Sequence, residues 1–124
     1  MTINKIVVVG LGYIGLPTAA AFASRKKRVI GVDVNRHAVE TINRGEIHIV
    51  EPDLGAMVKA AVDNGYLTAT HKPEAADAFL IAVPTPFKEG HEPDLSYVQA
   101  AAASIAPVLQ PGSLVVLEST CPVG

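Results

Sequence analysis

Three glycines and one acidic residue near the start of the chain have the spacing of a site that binds a dinucleotide. Gly10, Gly12 and Gly15 form a GxGxxG pattern directly after an apolar run, and Asp33 ends the next apolar run. The first glycine permits a tight turn, the second lets the main chain approach a pyrophosphate, and the third lets a helix pack close to a sheet. The acid stands close to the ~20-residue spacing at which a carboxylate accepts hydrogen bonds from ribose hydroxyls.

Each of these signals also has a purely structural explanation. A glycine turn joins a strand to a helix in many proteins without binding a ligand, and Asp33 could simply cap the helix that follows it. The surrounding elements favour binding, because a strand-like run precedes Gly10, a helical pattern follows Gly15, and the second apolar run ends at the acid. The N-terminus of that helix would offer unpaired N–H groups and a partial positive charge to phosphates.

Strand-like and helix-like segments alternate along the whole chain. The predicted strands span residues 3–9, 28–33, 66–70, 78–83 and 114–117, and the predicted helices span 14–24, 35–43, 53–64 and 94–105. This alternation predicts an α/β fold, with a Rossmann-like parallel sheet and helices on both faces. The last two strands are apolar throughout, so we expect them to be buried. Ligands of such sheets bind beyond the carboxyl ends of the strands, where the loops at 10–15, 83–87 and 118–124 are expected to converge.

Composition and charge argue against several classes of function. A chain of 124 residues with 49% hydrophobic residues suits one globular domain, and a net charge of −2 without any Trp gives no basis for nucleic-acid binding. The single cysteine, Cys121, excludes an internal disulfide and fits a reducing compartment. No apolar run reaches the ~20 residues of a membrane helix, and the four histidines have no metal-ligand spacing. We therefore expect a cytoplasmic protein that binds no nucleic acid, membrane or metal.

Taken together, the motifs resemble those of the UDP-sugar dehydrogenases, which oxidise a nucleotide sugar to its uronic acid. The matching segments, in family order, are VVGLGYIGLP at 8–17, GVDVN at 31–35, EPDL at 51–54, VPTP at 83–86, DLSYV at 94–98 and ESTCPVG at 118–124. The glycine motif is generic, whereas VPTP and ESTxPVG are specific to this group. The stretches PTAAAFASR, INRGEIHIVEPDL and IAVPTPFK are most similar to family members that act on UDP-N-acetyl-D-mannosamine.

The resemblance implies a four-electron oxidation that uses two NAD and converts UDP-N-acetyl-D-mannosamine to UDP-N-acetyl-D-mannosaminuronic acid. In the family, the nucleophilic Cys and the assisting Lys lie far downstream of the segments matched here, as do a central helix and a UDP-binding domain. We therefore expect residues 1–124 to be a truncated, partial NAD-binding domain that holds no catalytic residue and is inactive alone. The full-length protein is expected to be a homo-oligomer that takes a UDP-sugar.

The same resemblance assigns NAD contacts to the helix entrance, to the ribose acid and to two later loops. In this sequence those positions are Tyr13, Ile14, Asp33, Val83, Pro84, Thr85 and Thr120. Family members often carry a basic residue five positions after the acid, where this chain has Ala38, so we expect Arg36 or His37 to cover the adenine edge. Thr120 could instead cap a following helix, and Cys121 is expected to be a bystander because no base lies near it in sequence.

A second function remains open from sequence alone. The chain could be a stand-alone NAD(H)-sensing module that regulates a partner. The first strand–turn–helix–strand unit fits both functions equally well. The VPTP and ESTCPVG segments favour the dehydrogenase, because a sensor has no need of a threonine loop beside the nicotinamide.

Overall fold

A five-stranded parallel sheet forms the centre of the structure. The computed structural model describes residues 3–12, 14–48, 53–82 and 96–117. The strands are β1 (Lys5–Val9), β2 (Arg28–Val32), β3 (Leu67–Thr70), β4 (Ala78–Ile81) and β5 (Leu114–Leu117). The helices are α1 (Gly15–Ser24), α2 (Arg36–Asn43), α3 (Leu54–Asp63) and α4 (Ser96–Ile105), followed by a short 3-10 turn at Ala106–Val108. The predicted elements are therefore confirmed in type and order.

The order of the strands reverses between β1 and β4. The strands lie side by side as β3-β2-β1-β4-β5 and all run in the same direction. The chain moves outward from β1 to β3 and then returns to place β4 on the other side of β1. The connections after β1 and β4 therefore leave in opposite directions, and parallel sheets bind ligands beyond the strand ends at such a switch point.

Alternate residues of the strands supply two separate cores. On one face, Ile6 and Val8 of β1 pack with residues of α1, α2 and α3, among them the fully buried Leu16 and Val58. On the other face, Phe79 is fully buried in a cluster that includes residues of α4. The prediction of helices on both faces of the sheet is thereby confirmed.

The two outer strands of the sheet are protected very differently. The amide of Asn43 donates to the carbonyl oxygen of Ala69 on β3 and accepts from the Ala69 N–H, both at 2.9 Å, as a neighbouring strand would. On β5 the four side chains are between 37% and 53% exposed. The prediction that β5 is buried is wrong, because within the described residues only β4 pairs with it and little packs across its faces.

The strand ends at the amino edge of the sheet are fixed by a side chain. The Asp77 carboxylate accepts hydrogen bonds from the backbone N–H groups of Asn4 and Lys5, each at 3.0 Å. These two N–H groups hold the pKa of Asp77 below its ordinary value of 3.8. β1 begins at Lys5 rather than at the predicted residue 3.

Candidate dinucleotide site

The turn between β1 and α1 is tied to the end of β2. Gly10 has a φ of 98°, in the left-handed region that favours glycine. Its N–H donates to the carbonyl oxygen of Val32 at 2.7 Å, which extends the pairing of β1 with β2 by one bond. The turn therefore starts at a fixed point at the carboxyl edge of the sheet.

The three glycines of the turn are needed for three different reasons. Gly10 supplies the positive φ. At Gly15, a Cβ atom would lie 1.6 Å from the carbonyl oxygen of Gly10, so no side chain fits between α1 and the turn. At Gly12, a Cβ atom would meet no atom of the described residues within 4 Å, and Gly12 is not among the glycines with positive φ. The described residues therefore give no reason for glycine at 12, whereas a ligand in contact with the main chain would.

The entrance to α1 leaves several donors available for an anion. The first bonds run from the N–H of Leu16 to the oxygen of Gly12 at 3.1 Å and from the N–H of Thr18 to the oxygen of Ile14 at 3.3 Å. No described residue accepts from the N–H groups of Gly12 or Ile14. No acidic residue stands in the first turn of α1, and the side chain of Ile14 makes no capping hydrogen bond. These N–H groups and the positive end of the helix dipole suit a phosphate group.

Asp33 links the glycine turn to the start of α2. One carboxylate oxygen accepts from the N–H of Leu11 at 2.9 Å, and the other accepts from the N–H of Asn35 at 2.9 Å. The helix cap itself is Asn35, whose side chain accepts from the N–H of Ala38 at 3.2 Å. Asp33 is therefore not the N-cap that its position allowed. An ionised carboxylate has about four acceptor positions, so two remain for ribose hydroxyls.

The structure brings some of the predicted site residues together and leaves others outside the described residues. The glycine turn, Ile14 and Asp33 lie at one corner of the sheet, and Arg36 is the exposed first residue of α2 nearby. The remaining predicted contacts fall outside the described residues; they are Tyr13, Val83, Pro84, Thr85 and Thr120.

One residue at this corner was missed by the sequence interpretation. The ring of His71 lies just after β3, with Nδ1 3.0 Å from the backbone carbonyl oxygen of Asp33. His71 lies 38 residues after Asp33 in the sequence, so no local sequence pattern links the two residues. Their contact depends on the pairing of β2 with β3.

An apolar groove of about 280 Å³ lies on the α1 face of the sheet, over β1, β4 and β5, and is separate from the glycine turn. Its lining residues are Ile3, Ile6, Phe22, Lys27, Ala78, Leu80, Leu114 and Val116. Such a surface offers little to bind a pyrophosphate or a ribose. The groove therefore suits a dinucleotide less well than the N–H groups of the glycine turn do.

The described residues include no metal-binding cluster and no helix that could span a membrane. The described part of the chain contains no cluster of three or more His, Cys, Asp or Glu able to hold a metal ion. Among the helices of the described ranges, every one falls short of the length and apolarity that crossing a membrane requires.

Comparison of the sequence with known proteins gives consistent matches. A profile of the UDP-glucose/GDP-mannose dehydrogenase family, NAD binding domain, matches residues 4–124. Over 124 residues the chain is 74% identical to a UDP-N-acetyl-D-mannosamine dehydrogenase of Yersinia pestis, and it covers 30% of that protein. Over 121 residues, or 98% of the chain, it is 71% identical to an NDP-N-acetyl-D-galactosaminuronic acid dehydrogenase of Ralstonia nicotianae and covers 29% of it.

The fold matches a solved structure of the same kind. A native structure of UDP-N-acetyl-mannosamine dehydrogenase from Staphylococcus aureus superposes with a TM-score of 0.91 and 42% sequence identity. The match covers 94% of this chain and 29% of that one. The chain thus spans about 30% of the length of the relatives it matches.

Proposed function

The chain belongs to the UDP-glucose/GDP-mannose dehydrogenase family, as its NAD-binding domain, and we propose that the whole protein oxidises UDP-N-acetyl-D-mannosamine to UDP-N-acetyl-D-mannosaminuronic acid. NAD is the cofactor of this domain. The observation that supports NAD binding by these residues is the open space at Gly12, where the fold tolerates a Cβ atom and a ligand would not. The 74% identity over the whole chain supports the choice of substrate.

The residues of the glycine turn fit the central part of NAD. We assign the pyrophosphate to the N–H groups of Gly12 and Ile14, and we assign a ribose hydroxyl pair to the two free acceptor positions of Asp33. The predicted contacts of Tyr13, Val83, Pro84, Thr85 and Thr120 remain part of this proposal. NAD would supply a hydride acceptor for the oxidation of the substrate, and the described residues would hold its pyrophosphate and one ribose.

Asp33 also favours NAD over NADP. A 2′-phosphate would stand against the Asp33 carboxylate, and two negative groups in contact repel each other. Calorimetric titration of the full-length protein should therefore show tighter binding of NAD than of NADP. Equal or tighter NADP binding would contradict the role of Asp33 and would point to Arg36, the exposed cation nearest in sequence, as a phosphate partner.

The sugar is tested separately from the cofactor, because a second candidate is supported almost as well. The relative that is 71% identical acts on an N-acetyl-D-galactosaminuronic acid nucleotide, by its name. The full-length protein should be incubated with NAD and either UDP-N-acetyl-D-mannosamine or UDP-N-acetyl-D-galactosamine. We expect two NADH per molecule of the mannosamine substrate and little from the other. Reversed preference would assign the protein to the second sugar, and NAD binding without any turnover would favour the regulatory NAD(H) module.

Residues 1–124 alone are expected to bind NAD without oxidising a sugar. The proposed chemistry needs an activated thiolate, and in the family that residue lies outside the segments matched by this chain. Cys121 is the single cysteine here, and it lies outside the described residues. NADH production that disappears in a Cys121→Ser variant would show that Cys121 is the nucleophile. The proposal also places the full-length protein in the cytoplasm as a homo-oligomer.

A further inference from the structure

His71 is anchored to the main chain of the proposed ribose acid. Its Nδ1 atom lies 3.0 Å from the carbonyl oxygen of Asp33, and the Asp33 N–H donates to the carbonyl oxygen of Thr70 at 3.1 Å. Both main-chain polar groups of Asp33 are therefore bonded to the end of β3. Because a carbonyl oxygen only accepts hydrogen bonds, Nδ1 must carry the proton. The exposed imidazole is thus hydrogen-bonded to the main chain of the residue that is predicted to bind the ribose.

We propose that His71 is a specificity-determining residue for the adenosine half of the cofactor. In its charged form it places a positive charge beside Asp33 and reduces the repulsion of a 2′-phosphate. In its neutral form the Asp33 carboxylate acts alone and excludes NADP more strongly. The preference for NAD over NADP therefore weakens as the pH falls. This inference rests on the proposed function, because it assumes that the ribose lies at Asp33.

The hydrogen bond of His71 allows the ring to change charge without moving. Nδ1 donates to the Asp33 carbonyl in both protonation states, so the second proton is gained at Nε2. The charged and titratable groups at this corner are Asp33 directly after β2, Arg36 and His37 in the first turn of α2, and Lys72 next to His71. Histidine is the residue type whose charge changes between about pH 5 and 8.

His37 provides a matched control for His71. Both side chains are exposed and lie near the carboxyl edge of the sheet, but His71 contacts Asp33 and no contact of His37 with Asp33 is seen among the described residues. A His71→Asn variant keeps an N–H donor of similar reach and removes the titrating charge, as does His71→Gln with a longer side chain. A His37→Asn variant removes the other titrating charge in the same way.

The test is the ratio of the dissociation constants of NADP and NAD, measured by calorimetry on the full-length protein between about pH 5.5 and 8.5. From the low to the high end of this pH range, the ratio should rise about fivefold more in the wild type and in His37→Asn than in His71→Asn. Fivefold is the change in a dissociation constant that corresponds to one contact between opposite charges in water. The 2′-phosphate of NADP also titrates, but this effect is common to all variants and cancels when they are compared. Thermal unfolding shows whether each variant is folded.

Several results would overturn the inference. The role of His71 is contradicted if the ratio has the same pH dependence in the wild type, His71→Asn and His71→Gln. It is also contradicted if the pH dependence disappears in His37→Asn and persists in the His71 variants. Weaker binding of both cofactors in the His71 variants, with an unchanged pH profile, would show a structural role alone. NAD binding with no such shift contradicts only the role of His71, whereas no binding of either cofactor by the wild type contradicts the proposed function as well.

Discussion

Replacing Gly12 by Ala should separate ligand binding from folding. The added Cβ atom meets no atom of the described part of the chain within 4 Å, and the φ of Gly12 lies outside the left-handed region. The folded state should therefore lose nothing, and the restricted unfolded chain should raise the free energy of unfolding by about 0.4–1 kcal/mol. In the complex, the same methyl group would stand where the pyrophosphate approaches. Overpacking of this kind costs about 1–3 kcal/mol, which corresponds to roughly 5- to 150-fold weaker NAD binding.

The matched control is Gly15→Ala, which adds the same methyl group three residues later. Here the Cβ atom would lie 1.6 Å from the carbonyl oxygen of Gly10, so α1 or the turn must move. We expect the free energy of unfolding to fall by about 3 kcal/mol or more.

The assays are urea unfolding without ligand and calorimetric titration with NAD, both on the full-length protein. The reasoning would be refuted if Gly12→Ala lost as much stability as Gly15→Ala, or if it bound NAD as tightly as the wild type. In the first case, Gly12 would have a structural role that the open space denies. In the second case, the pyrophosphate would lie elsewhere.

Three further predictions concern the ends and edges of the sheet. Asn43→Ala removes both hydrogen bonds to Ala69 and should lower the free energy of unfolding by about 1–2 kcal/mol, measured in urea; a loss no larger than that of Asn64→Ala would contradict it. Asp77→Ala should lower the free energy of unfolding above pH 3.8. The difference from the wild type should shrink as the pH falls through the lowered pKa of Asp77, because protonation removes the advantage of the charged form. A difference that persists in acid would show that the charge of Asp77 does not stabilise the fold. The 124-residue chain alone should self-associate through the apolar strand β5, whose Leu117 is 53% exposed; sedimentation should show smaller species for Leu117→Lys, and a wild-type monomer at high concentration would refute this.

The parts of the site that sequence could predict depend on residues close together in the chain. The three glycines, the helix after them and Asp33 form one continuous strand–turn–helix–strand unit, so their order and spacing carried the information. The alternation of apolar runs and helical patterns was likewise enough to predict the parallel sheet. Element boundaries differed from the predicted ones by a residue or two, as at the start of β1.

The parts that sequence could not predict depend on what lies across from a residue in space. β5 is as apolar as β4, but the burial of a strand is decided by its neighbours, and an outer strand has fewer of them. His71 reaches Asp33 through the pairing of β2 with β3, which no local pattern reports. The bond from Leu11 to the Asp33 carboxylate shows in the same way that the predicted ribose acid also fixes the glycine turn.

The central claim is that the turn at Gly12 and the acid at Asp33 hold NAD. A crystal structure of the full-length protein with NAD tests this claim most directly. We expect pyrophosphate oxygens within hydrogen-bond distance of the N–H groups of Gly12 and Ile14, and a ribose hydroxyl on the Asp33 carboxylate. A pyrophosphate bound away from these N–H groups, or a ribose with no contact to Asp33, would contradict it.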